Sequence, residues 1–134
     1  MKLSTKSRYG TRLLVDLACH RDQWPVQIGE ISERLQISVK YLEQIIHILK
    51  KHQFVTSYRG AKGGYILAKS PEKITLGEVV RLFENPSGLV ECTSHPERCM
   101  LSSDCRVRLA WEAATIALFQ SLDAVTINDL QISG

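Results

Sequence analysis

Between Ile28 and Leu67 the chain sets two short one-sided helices close together and follows them at once with a glycine-tipped hairpin. Few architectures accept that order. Ile28, Ile31 and Leu35 fall on one side of the first stretch. After Leu35-Gln36-Ile37 comes Ser38, a favoured helix N-cap, opening a longer stretch to about Lys51. Its apolar positions Leu42, Ile45, Ile46 and Leu49 repeat at the i, i+3, i+4, i+7 spacing of a single helical face. The spacing predicts two helices joined by a tight turn, the helix-turn-helix arrangement. Phe54-Val55-Thr56-Ser57-Tyr58 and Tyr65-Ile66-Leu67-Ala68 are rich in β-branched and aromatic residues and read as strands. Between them Arg59-Gly60-Ala61-Lys62-Gly63-Gly64 carries three glycines and two cations. The expected fold is therefore mainly α, a winged helix-turn-helix with a two-stranded β wing.

The flanks read as further helices. Residues from about Lys6 to His20 put Tyr9, Leu13, Leu14, Leu17 and Ala18 on one face, with Ser4 or Thr5 as cap, and Trp24-Pro25 breaks the chain afterwards. Thr75-Leu76-Gly77-Glu78 is a capping box opening a short helix buried through Leu76, Val79, Val80 and Phe83, which Asn85-Pro86-Ser87-Gly88 ends. Residues 89–105 lack periodicity and hold three of the four cysteines. From Arg106 to Leu122 a helical pattern returns, with Val107, Trp111, Ala114, Leu118 and Leu122 as its stripe. Thr126-Ile127-Asn128-Asp129 reads as the cap of a last short turn.

Composition narrows the function classes. At 134 residues, 44% hydrophobic and 23% charged, the chain has ordinary globular makeup and can bury a core without disulfides. Met1-Lys2-Leu3-Ser4-Thr5-Lys6 lacks a signal-peptide core, and no apolar run approaches the roughly 18 residues of a membrane span. A cytoplasmic protein with no membrane partner is expected. The net charge is +3, but residues 1–62 hold eleven basic and five acidic side chains, hence +6, and the remainder is −3. Such asymmetry suits a part that meets phosphates joined to a part that does not. No H-E-x-x-H, G-x-S-x-G, Walker or dinucleotide motif is present, so neither an enzyme nor a small-molecule substrate is expected.

With the apolar face of the second helix turned inward, Ser38, Lys40, Glu43, Gln44 and His47 point outward. A recognition helix reads the major groove with side chains near its N-terminus. Gln44 suits adenine, Lys40 guanine or phosphate, and Glu43 a cytosine amino group. Arg59 and Lys62 beside the hairpin glycines make a slim cationic finger fit for a minor groove. An ordinary polar face and an ordinary tight turn are the plainer alternatives.

Cys92, Cys99 and Cys105 are spaced C-x6-C-x5-C. Three thiolates in one loop suit an iron–sulfur cluster, or zinc with His95 as a fourth ligand. Ordinary or redox-active thiols fit the spacing as well. Cys19, on the first helix, is expected to be a small buried residue rather than a ligand.

Taken together, Met1-Lys2-Leu3-Ser4-Thr5-Lys6-Ser7-Arg8-Tyr9-Gly10, Ser38-Val39-Lys40-Tyr41-Leu42-Glu43-Gln44-Ile45 and Arg59-Gly60-Ala61-Lys62-Gly63-Gly64-Tyr65 resemble the IscR/NsrR-type iron-sulfur transcription regulators, the Rrf2 family. The resemblance spans nearly the whole chain. It implies a homodimer whose long C-terminal dimerisation helix crosses its partner, bound to a palindromic operator in double-stranded DNA. The DNA-facing set it implies is Ser38, Lys40, Tyr41, Glu43, Gln44, Arg59, Gly60 and Lys62. It also implies a 2Fe-2S or 4Fe-4S cluster held by Cys92, Cys99 and Cys105, sensing iron or cluster status, redox or nitric oxide. The family's fourth ligand does not carry over. The IscR-like histidine position is Arg108 and the NsrR-like carboxylate position is Arg8, which leaves His95, Asp104, a residue of the other subunit or an exogenous ligand. The expected organisation is a DNA-binding domain over 1–85, a cysteine loop over 86–105, and the dimerisation helix and tail over 106–134. Two alternatives share the fold: cysteines acting as a thiol switch or zinc site, and a winged helix that binds proteins instead of DNA.

Overall fold

A computed structural model describes residues 2–84 and 105–131. Among these residues the helices are α1 (Thr5–Cys19), α2 (Ile28–Leu35), α3 (Val39–Lys51), α4 (Leu76–Glu84) and α5 (Arg106–Asp123). Strands β1 (Val55–Tyr58) and β2 (Gly64–Leu67) lie between α3 and α4, and short 3-10 turns follow α1, precede α4 and follow α5. The architecture is the mainly helical winged helix that the element order predicts.

The core forms where one-sided helices meet. Leu13, Leu14 and Leu17 of α1, Ile31 of α2, and Leu42, Ile45 and Leu49 of α3 have no solvent exposure, and Val55 and Leu67 close the cluster from the strands. Burying each such side chain contributes about 1.5–3 kcal/mol, so this cluster fixes how α3 sits on α1. The second half docks onto it through Ile74, Val79 and Ile127, all fully buried.

Local chemistry sets the boundaries. Ser4 caps α1 by accepting from the Ser7 amide, and Ser38 caps α3 by accepting from the Tyr41 amide. At Thr75 the capping box is reciprocal: the Thr75 amide donates to Glu78, and the Glu78 amide donates to the Thr75 hydroxyl at 3.1 Å. Between α2 and α3 the chain turns at Gln36, which takes φ +56° although it is not glycine. The hydroxyl of Ser32 donates to the Ile37 carbonyl at 2.6 Å and secures that turn.

The strands pair antiparallel with Val55 opposite Leu67 and Tyr58 opposite Gly64. Sequence patterning did not show that Val26 adds a bridge to the other edge of β2. Its amide donates to the Tyr65 carbonyl at 2.9 Å, and the Tyr65 amide returns a bond to the Val26 carbonyl at 2.8 Å. A second bridge ties the C-terminal tail to the start of α4, the Ile127 amide donating to the Ile74 carbonyl at 2.8 Å.

One expectation needs correction. Cys19 is exposed, not buried. It lies on the α1 face of Arg12 and Val15, turned away from Leu14, Leu17 and Ala18, and lines a groove with Leu130. On α5 the side chain buried against the rest of the chain is Phe119, whereas Val107 and Trp111 of the expected stripe are exposed at 58% and 41%. The reason is that α5 carries apolar residues on more than one face, so period alone cannot say which face meets α4. Among the described residues no helix is long and apolar enough to cross a membrane.

Candidate nucleic-acid interface

The surface begins at the first turn of α3. Because Leu42, Ile45, Ile46 and Leu49 are held in the core, Ser38, Lys40, Glu43, Gln44 and His47 are exposed on the opposite side. Ser38 accepts the Tyr41 amide at 3.2 Å, which leaves its own hydroxyl proton free to donate outward. Tyr41 departs from this group. It is half-buried, with its ring edge-on to Tyr9 at 5.9 Å and 90°.

The wing supplies the second part. Arg59, Gly60, Ala61 and Lys62 are all exposed, and the Gly63 amide closes the tip by donating to the Gly60 carbonyl at 3.0 Å. Gly60 has φ +106°, a conformation that a side chain would strain. Gly64 is constrained twice, by φ +150° and because a Cβ there would lie 2.4 Å from the Val26 carbonyl oxygen. Gln27, at the start of α2, donates through Nε2 to the Ala61 carbonyl at 3.3 Å and so ties the wing tip to the helix pair.

Some surface residues beside this set were not singled out from the sequence. Arg12 donates to the carbonyl of Leu35, the last residue of α2, at 3.0 Å, and its guanidinium carbon lies 5.6 Å from the Tyr9 ring centroid. The available signal was a run of fifteen residues holding Lys2, Lys6, Arg8 and Arg12 with no carboxylate.

Of the expected cysteine set, Cys105 is described, and Cys92, Cys99, His95 and Asp104 lie outside the described residues. Cys105 is half-buried at the N-cap of α5, where its Sγ accepts from the Arg108 amide at 3.4 Å. Arg108 pairs with Glu112, and Arg8 is exposed with its guanidinium carbon 5.9 Å from the Tyr9 ring centroid, so both positions where the resemblance expects a ligand carry cations, which cannot ligate iron. Among the described residues no group of three or more His, Cys, Asp or Glu side chains is placed to hold a metal.

The helices flanking residues 85–104 are held by charged joints. Arg81 of α4 grips Asp123 of α5 through two bonds at 2.7 and 2.8 Å, and its guanidinium also covers Phe119 at 4.4 Å. The hydrogen bond from Arg81 holds the Asp123 carboxyl below its ordinary range. At the end of α4, Glu84 accepts from the Ser4 amide at 2.7 Å and from the Ser7 hydroxyl. Burial pushes the Glu84 carboxyl up, but those bonds outweigh it and the net displacement is downward. Nearer the helix pair, Asp16 is buried and Arg34 binds it in a fork at 2.9 and 2.8 Å. That hydrogen-bonded fork raises the Arg34 guanidinium above its usual value.

A family model described as Rrf2, iron-dependent transcriptional regulator, matches residues 3–132. The chain belongs to the Rrf2 family. The protein named rrf2 of Nitratidesulfovibrio vulgaris is 44% identical over 130 residues, which is 97% of this chain and 87% of that protein. The solved structure of IscR from T. potens is similar with a TM-score of 0.77 and 37% identity, covering 97% of this chain and 85% of that one. CymR, described as the global cysteine regulator of B. subtilis, is similar with a TM-score of 0.73 and 32% identity, covering 97% and 95%. This chain is thus an Rrf2 transcription regulator of the IscR/CymR type, a DNA-binding protein and not an enzyme.

Proposed function

We propose that this Rrf2 regulator acts as a homodimer whose binding to a palindromic operator is controlled by an iron–sulfur cluster held by Cys92, Cys99 and Cys105. The observation that carries the DNA-binding half is the exposed face of the first two turns of α3, with Ser38, Lys40, Glu43 and Gln44, together with the exposed Arg59–Lys62 wing tip. Lys40, Glu43 and Gln44 read base edges in a major groove, while Ser38 and Tyr41 orient the helix on its phosphates. Arg59 and Lys62, carried on a tip narrowed by Gly60, enter the neighbouring minor groove.

Support for a dimer comes from α5. Val107, Leu109, Trp111 and Ile116 are all exposed in the single chain, at 41–60%. A helix apolar on several faces is one that is covered on several sides. Two-fold pairing through it presents two recognition helices and hence a palindrome.

Three thiols between α4 and α5 are the donor chemistry that iron–sulfur clusters take, and Cys105 fits it as a half-buried sulfur at the head of a helix. The bound cluster supplies a centre sensitive to redox change, iron supply and nitric oxide. What this chain adds is a connection: Cys105 caps α5, and the Arg81–Asp123 fork joins α5 to α4. The similarity to Staphylococcus aureus CymR, whose structure is described as an oxidized form, favours a second reading, in which the cysteines act as a thiol switch.

Anaerobic purification, with iron and sulfide measured per chain, separates the two readings. A coloured protein with both elements, bleached by Cys99→Ala, is expected. A colourless protein that holds zinc or no metal after reconstitution overturns the cluster and leaves the thiol reading. Mobility shifts on duplex DNA at rising salt test the binding half, because neutralised phosphates release counterions and affinity must fall.

A further inference from the structure

The Arg59–Lys62 wing tip is tied by Gln27 to the N-terminal end of α2. At the other end of α2, roughly 12 Å away for an eight-residue helix, Arg12 grips the Leu35 carbonyl. Two cationic features thus bracket the helix pair, and the sequence patterning points to the wing alone. Arg12 is exposed and its bond to Leu35 uses one of five guanidinium donors. Its plane is steadied by Tyr9, with Arg8 on the same ring. Tyr9 in turn meets Tyr41 in the first turn of α3, which carries Lys40 and leads directly into Glu43 and Gln44.

Among the described residues no carboxylate forms an ion pair with Arg8 or Arg12. Lys2, Lys6, Arg8 and Arg12 precede any carboxylate in the chain. Asp16, the first, is turned inward and occupied by Arg34. Glu84 approaches α1 through the buried Ser7, on the side away from Tyr9. Cations left facing solvent beside a recognition turn, pre-organised on an aromatic ring, suit phosphate oxygens.

We infer that Arg12, supported by Arg8, Tyr9 and Tyr41, forms a second phosphate-binding ledge that grips the DNA backbone at the C-terminal end of α2. This inference rests on the DNA-binding reading above. Such contacts carry no sequence information, so they strengthen binding to any duplex and set the register of α3 in its groove.

The test uses the full-length protein and a mixed-sequence duplex, with affinity measured across a salt series. Arg12→Ala should weaken binding severalfold and lower the slope of log affinity against log salt by about 0.9 for each phosphate that is no longer neutralised. Arg12→Lys, which keeps the charge, should retain the slope. An Arg12→Ala protein with a lower melting temperature but the wild-type slope overturns the inference, because Arg12 is then only a cap on α2. If the wild-type protein binds no duplex at any salt, the DNA-binding reading fails and the ledge with it. Wild-type binding with an unaltered variant slope sinks the ledge alone.

Discussion

Single residues decide the shape of the wing. Gly64 combines φ +150° with a backbone approach that leaves no room for a Cβ against Val26. Gly64→Ala is expected to cost about 1–3 kcal/mol through backbone strain and to loosen the Val26–Tyr65 bridge. Urea denaturation measures the first effect and amide exchange at Tyr65 the second. Arg59 is exposed at the tip, so the role proposed for it rests on charge and not on packing. Arg59→Ala should leave stability within about 0.5 kcal/mol of wild type while weakening duplex binding. A melting temperature that drops with no change in DNA affinity would reverse that assignment.

At the scale of elements, α4 is the joint. Its first turn is closed by the Thr75–Glu78 box, its middle holds α5 through Arg81–Asp123, and its last residue holds the start of α1 through Glu84. Thr75→Ala should cost about 1 kcal/mol in an unfolding titration, the usual loss for an N-cap. The two acidic partners make α4 pH-sensitive. Glu84 and Asp123 both have folded carboxyls displaced below their ordinary values, so their contribution is complete above the unfolded pKa. It is lost as pH falls through the lowered folded values, starting from about pH 4.3 for Glu84 and about 3.9 for Asp123. Acid should therefore weaken the α1–α4 and α4–α5 joints, and Glu84→Gln should flatten the acid limb of a stability-against-pH curve. An unchanged limb would show that Glu84 binds protons alike in both states.

For the whole molecule the question is what covers α5. Its exposed Trp111 and Ile116 sit on a helix whose side chain buried against the described part of its own chain is Phe119. Ile116→Asp is expected to convert a dimer to monomers by sedimentation equilibrium, with operator affinity falling as the second recognition helix is lost. Monomeric mass in the wild-type protein would remove the basis for a palindromic operator.

Much of this was legible in the residues themselves. Helices α1 to α4, both strands and the caps at Ser38 and Thr75 follow from patterns a few residues long, because helix periodicity and capping are local physics, while at α1 the pattern left Ser4 and Thr5 open and the structure chose Ser4. The outward face of α3 was legible for the same reason: once Leu42, Ile45, Ile46 and Leu49 face the core, 3.6 residues per turn sends Lys40, Glu43 and Gln44 the other way. Other features depended on distant parts of the chain meeting. The Val26 bridge, the Arg12 bond to the end of α2, the Asp16–Arg34 fork and the Glu84 clasp on Ser4 join residues whose chain separation leaves no periodic trace. Cys19 and Phe119 belong to that group too. A helix pattern shows that an apolar face exists, but which side is covered is fixed only when other elements pack on it.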